Sequence, residues 1–166
     1  MYLTIWRHGE AGSAVTDRKR ELTNQGTDDI GFGCHQFHNL CEQRGLPHPD
    51  LILYSEWVRT VQTADILASA FSHAALERSN ALIPGRRPGD VDAELELRQA
   101  QDTPQHIVLV SHQPLVSALI DYYLADAGKV PSLVPGGLTT LELEVIGAGC
   151  ATLVFCAQPP EYEAWV

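Results

Sequence analysis

Ile107-Val108-Leu109-Val110 is an unbroken apolar run rich in β-branched residues, and it does not stand alone. Residues 2–6 and Leu51-Ile52-Leu53-Tyr54 read as buried strands of the same kind, each followed by a stretch with helical spacing. Strands that alternate with helices in this way cannot pair through tight hairpins. They predict parallel pairing with helices crossing over both faces, a three-layer α/β/α sandwich around a mostly parallel sheet. Two final strands, near Leu138–Ile146 and Thr152–Ala157, flank Gly147-Ala148-Gly149 and should add an antiparallel strand as a hairpin.

The helices between these strands have legible ends. Thr23 and Asn24 offer N-cap chemistry for a helix to about Arg44, with Ile30, Cys34, Phe37 and Cys41 on its inner face and Gly45 as its stop. A second helix after Ser55 should bury Trp57, Val61, Ala64, Ala68 and Phe71. A weak strand is expected at Ala75–Arg78, a loop over residues 84–89, and a helix from Asp90 to about Gln101. A last helix after Pro114 should bury Leu115, Ala118, Leu119 and Tyr122. No repeat or composition break divides the 166 residues, so one domain over 1–166 is expected.

Composition narrows the partners. The formal charge of −10, from 11 basic and 21 acidic residues, repels nucleic acid and anionic lipid. No apolar run reaches the roughly 20 residues of a membrane helix, and residues 1–8 lack the pattern of a signal peptide. A cytoplasmic monomer is the expectation. Lys19 and Lys129 apart, the basic residues are all arginine, which suits bidentate recognition of phosphate or carboxylate wherever arginines gather. Cys34, Cys41, Cys150 and Cys156 contain no C-x-x-C pair and read as free thiols.

In open α/β sheets, ligands bind at the carboxyl ends of the strands. Arg7-His8-Gly9-Glu10 follows the first strand, Ser55 to Ala64 follows the second, and Ser111-His112-Gln113-Pro114 follows the strongest. Parallel strands would therefore bring His8, Arg59 and His112 to one edge, with Arg7 beside the first. Singly, each residue has an ordinary structural explanation. Their joint placement at one sheet edge favours a functional site over the structural explanation.

R-H-G-E at 7–10, S-x-x-x-R-x-x-Q-T-A at 55–64 and S-H-x-P at 111–114 resemble the histidine phosphatase (phosphoglycerate mutase-like) superfamily. Within it, the short length, R-x-L-T at 20–23 and S-H-x-P-L-V at 111–116 are most similar to the SixA-type phosphohistidine phosphatases. The resemblance implies that His8 accepts the phosphoryl group and that Arg7, Arg20, Arg59 and His112 hold its oxygens. Water then hydrolyses the phosphoenzyme, and no cofactor or metal is implied. Larger members carry a Glu or Asp general acid on an inserted segment. Here that stretch is short, and Asp90 alone is placed to serve, as a proton donor or merely as a helix cap.

That departure bears on the substrate. An alkoxide leaving group resembles hydroxide, whose conjugate acid has a pKa of about 15.7, and needs a proton from the enzyme. An imidazole, with a pKa of about 6.5, leaves with little help. The expected function is therefore a phosphohistidine phosphatase acting on a phosphohistidine-bearing signalling or phosphotransfer protein, with inorganic phosphate as product. A small-molecule phosphomonoesterase and a non-catalytic phosphate-binding module are the rivals.

Overall fold

The computed structural model describes residues 1–166. Its single sheet has strand order β3-β2-β4-β1-β5-β6. The strands are β1 (Tyr2–Arg7), β2 (Leu51–Tyr54), β3 (Ala75–Arg78), β4 (His106–Ser111), β5 (Leu138–Leu143) and β6 (Ala151–Ala157). β1, β2, β3 and β4 are mutually parallel where they pair, while β5 runs antiparallel to both β1 and β6. The sheet is thus mostly parallel with the expected antiparallel strand from the C-terminal hairpin. The predicted spans of β2 and β3 match residue for residue.

Strand alternation sorts the side chains into two cores. Leu3, Ile5, Leu53, Ile107 and Leu109 pack with α3 (Pro88–Gln101) and α4 (Leu115–Leu124). Trp6, Ile52, Val108 and Val110 pack on the other face with α1 (Asn24–Arg44) and α2 (Val58–Ala70). No helix is long and apolar enough to cross a membrane.

The inner face of α1 is the expected one, with Ile30, Cys34, Phe37 and Cys41 all buried. Two other helices are rotated from the sequence reading. In α2 the buried residues are Arg59, Thr60, Thr63, Ala64 and Leu67, whereas Val61 and Ala68 are only half-buried. The cause lies at the helix start: Arg59 and Thr63 turn inward to serve the sheet edge, so the polar residues of the first turns occupy the face that hydrophobicity would have awarded elsewhere. In α4, Val116, Ile120 and Tyr123 are buried and Ala118 is exposed. Larger apolar side chains take the core-facing stripe, and the alanine is left outside.

Close approach brings α1 onto the loop after β1. A Cβ at Gly26 would lie 2.2 Å from the Glu10 carbonyl oxygen, so only glycine permits this contact. Thr23 fastens the same junction: its hydroxyl accepts from the Gly26 N–H at 2.9 Å and donates to the Glu10 carboxylate at 2.9 Å.

Candidate active site

Arg7, His8, Arg59 and His112 lie at, just beyond, or on the helix following the carboxyl ends of β1, β2 and β4, whereas Arg20 lies in the irregular segment before α1 and Asp90 on α3 after β3. Strand register explains how. Arg7 pairs with Ser111 across β1 and β4, which sets His8 and His112 side by side one residue later. Their rings are 5.4 Å apart, centroid to centroid. Both extend the even-numbered side of their strands, the side covered by α1 and α2, and α2 supplies Arg59.

His8 is buried, and both of its ring nitrogens are engaged. Nδ1 faces the Gly9 carbonyl oxygen at 2.7 Å, a contact that requires the proton on Nδ1. Nε2 is then an unprotonated lone pair, and it accepts from the Arg59 Nε–H at 3.1 Å. Burial first, with the charges of Arg59, Arg7 and Arg20 adding to it, lowers the His8 pKa to about 4. At neutral pH the imidazole is uncharged and aims a nucleophilic nitrogen at the arginine.

Arg59 is held on several sides. Its guanidinium donates to the Asp17 carbonyl at 2.7 Å and to the Asp17 carboxylate at 3.2 Å, and it lies over the Trp57 ring at 5.1 Å. Arg7 donates from a terminal nitrogen to the Leu133 carbonyl at 2.7 Å, while its Nε is buried without a partner. Burial, and then the charge of Arg59, lowers the pKa of Arg7. Arg20 comes from the irregular segment before α1. It is fixed to the Gly12 and Ala11 carbonyls at 2.7 and 3.2 Å and to Asp17 at 3.0 Å. Its charge reaches His8, but more of its donor capacity is spent on the loop than that of the other two arginines.

His112 shares one nitrogen and leaves the other open. Nε2 meets the Ser55 hydroxyl at 2.8 Å, and the buried Nδ1 has no partner. Burial and the neighbouring His8 and Arg59 lower its pKa to about 3. The unpartnered Arg7 Nε–H and, in the tautomer with the proton on Nδ1, the His112 Nδ1–H are two buried donors within one cluster of guanidinium and imidazole groups. Buried polar atoms are rarely left without partners, and an anion would satisfy them.

Asp90 is not part of this cluster's hydrogen bonding. It is the third residue of α3, not its cap, and its carboxylate accepts from the Arg87 N–H at 2.9 Å. The Asp90 N–H in turn donates to the Arg87 carbonyl at 3.0 Å. Helix capping of the reciprocal kind accounts for it. The carboxylate that does touch the site is Asp17, which the sequence reading passed over. It bridges Arg20 and Arg59, and these two arginines lower its pKa, so it is ionised at neutral pH and has no proton to give.

Two other positioning residues escaped the sequence reading. Thr63 accepts from the Gly9 N–H at 3.1 Å and donates to the Arg59 carbonyl at 2.8 Å, tying the His8 loop to the helix that carries Arg59. Ser55 orients His112. Both lie in the S-x-x-x-R-x-x-Q-T-A stretch at 55–64, but a hydroxyl next to a helix start reads as a cap and one inside a helix as a bond to its own backbone.

Neither a protein-family model nor a curated protein sequence matches the chain. Solved structures do. The protein histidine phosphatase SixA in complex with tungstate superposes with a TM-score of 0.76 at 23% identity, over 96% of this chain and 97% of that one. A SixA protein from Agrobacterium tumefaciens gives 0.73 at 23% identity, over 95% of this chain and 98% of its own. A mycobacterial glucosyl-3-phosphoglycerate phosphatase, with VO3, gives 0.68 at 18% identity over 92% and 97%. By architecture, then, the chain has the histidine phosphatase fold, with SixA among the solved structures it resembles.

Proposed function

We propose that this chain is a phosphohistidine phosphatase that works through a phosphorylated His8. The observation that carries the reading is the state of that imidazole: Nδ1–H anchored on a carbonyl, Nε2 unprotonated, and an arginine at 3.1 Å from the attacking atom. A lone pair held in this way is poised for in-line attack on phosphorus. The Nε2–P bond forms as the bond from phosphorus to the leaving group breaks. Water then attacks phosphorus, the Nε2–P bond breaks, and phosphate leaves with His8 restored. Arg7, Arg59 and His112 stabilise the charge on the equatorial oxygens, with Arg20 contributing from farther out. For His112 to donate, its proton sits on Nδ1 and Nε2 accepts from Ser55. The guanidinium groups supply the positive charge a metal would otherwise bring, and turnover is expected to survive EDTA.

The choice of phosphohistidine rests on proton supply. Asp90 is occupied with capping α3, and Asp17 is held ionised, so neither protonates an alkoxide at neutral pH. An imidazole leaves without that help. A phosphohistidine-bearing signalling or phosphotransfer protein in the cytoplasm is the proposed partner, met by a monomer.

Rates on a phosphohistidine protein, an aryl phosphate and a sugar phosphate test this. Phosphohistidine and the aryl ester should turn over at least about 100-fold faster than the sugar phosphate, the equivalent of roughly 2.7 kcal/mol of leaving-group dependence. Brisk sugar-phosphate hydrolysis would make the enzyme a phosphomonoesterase. Phosphate binding without turnover of any substrate would make it a binding module.

A further inference from the structure

Five of the seven histidines have no place in the proposed chemistry: His106 is satisfied within the fold, and His35, His38, His48 and His73 remain. Three of these, with Glu42, lie around the end of α1 and the loop into β2. That loop sits at the opposite edge of the sheet from His8: the Asp50 carboxylate accepts from the N–H groups of Gln105 and His106, at the start of β4. We propose that His38, Glu42 and His48 form a zinc-binding site that clasps α1 to this loop.

The donor atoms of these three side chains all lie within 4.8 Å of one another. His38 and Glu42 are one helical turn apart on α1 and therefore share a face. His48 reaches the same point from the loop, its ring centroid 4.4 Å from that of His38. No proton holds the group together: the His38 Nε2 to Glu42 Oε1 separation of 4.0 Å is too long for a hydrogen bond. Two imidazoles and a carboxylate are the donor set of many zinc sites. Zinc holds such ligands at about 2.0–2.2 Å, hence roughly 3.5 Å from one another, so the cluster must contract by about 1 Å. All three side chains are at least partly exposed and free to make that adjustment.

The backbone beneath them is fixed. Gly45, at φ 65°, ends α1, and the Leu46 N–H returns to the Cys41 carbonyl at 2.9 Å. The Pro47 carbonyl accepts from the buried His106 ring at 2.7 Å, and Pro49 follows His48 directly. His48 is thus presented by a short, pinned loop, which lowers the entropy lost when a metal is bound. His73 lines the same cavity of about 160 Å³ as His38 and His48.

The proposal does not rest on the phosphatase reading, and its test reads metal binding directly. Zinc is titrated into EDTA-treated, desalted protein against a chromophoric chelator. One zinc should bind per chain, and at a hundredfold excess over Kd the midpoint of thermal unfolding should rise by roughly 5–10 °C. His48→Ala and Glu42→Gln should each weaken binding more than about tenfold, since loss of a supporting partner alone costs 10–100-fold. Both should leave turnover of an aryl phosphate unchanged. Absence of saturable binding would overturn the site. So would zinc bound equally well by both variants, which would place the metal on other residues.

Discussion

His8 and His106 sit at opposite edges of the same sheet, one just past the end of β1 and the other at the start of β4. Burial is the largest cause of depression in both, and it brings each to about 4. The same shift serves different ends. His106 is satisfied at both nitrogens within the fold: Nε2 accepts from the Thr4 hydroxyl at 2.8 Å, and Nδ1–H donates to the Pro47 carbonyl at 2.7 Å. Thr140 completes the chain at 2.8 Å from Thr4. At the other edge, His8 gives its Nε2 to an arginine and His112 keeps a nitrogen with no partner at all. A perturbed pKa marks burial. Incomplete hydrogen bonding among gathered like charges marks a site, because a fold gains nothing by collecting guanidinium groups unless an anion is to come between them.

The contrast can be broken most sharply by removing each ring in turn. His8→Ala should lower turnover by at least about 10³-fold and abolish any acid-labile phosphoenzyme, because no other group supplies the nucleophile. Residual activity near the wild-type level would end the mechanism proposed here. Arg59→Lys comes next. A point charge cannot replace a fork that donates to Nε2 and, in the proposed mechanism, to the phosphoryl oxygens, and a loss of about 10²-fold in kcat/KM is expected. An unchanged rate would show that Arg59 serves the fold through Asp17 instead.

His106→Gln should leave turnover per folded molecule intact and lower stability by about 1–3 kcal/mol, measured by urea unfolding at pH 7. Its pH dependence sharpens the comparison further. Above the unfolded imidazole value of 6.5, folded and unfolded chains both carry the neutral ring, and its contribution is fully present. As pH falls from there through about 4, the unfolded chain binds a proton that the folded chain refuses, and stability is lost. At pH 5 that loss is about 2 kcal/mol for each such ring, so His106→Gln should lose about that much less than wild type between pH 7 and 5. Identical losses would mean that His106 is protonated in the folded chain.

The smallest effect expected is that of Asp90→Asn. Asparagine can accept from the Arg87 N–H nearly as well, and turnover of every substrate should change less than about twofold. A loss confined to alkyl phosphates, read from the same substrate series, would make Asp90 a proton donor after all.

Much of this was legible beforehand, for identifiable reasons. Strands in a parallel sheet are buried on both faces, so β1, β2 and β4 appear as plain apolar runs, and their carboxyl ends follow at once. His8, Arg59 and His112 could be placed on one edge from that alone. Residues whose role depends on a neighbour distant in sequence were not legible. Asp17 bridges Arg20 and Arg59, Thr63 ties Gly9 to α2, and Gly26 is needed only because the Glu10 backbone passes within a Cβ's reach. The His38, Glu42 and His48 cluster was missed for the same reason, since His48 joins the pair on α1 only through the turn at Gly45.

Local periodicity and residue type thus determined the layers and the sheet edge at which His8, Arg59 and His112 gather, because burial and strand direction leave a regular imprint on neighbouring residues. Only the tertiary structure decided the inner faces of α2 and α4, the tautomer of His8, and the occupation of Asp90 by its own helix. These depend on hydrogen bonds and packing contacts, whose partners three-dimensional proximity selects and a linear spacing does not record.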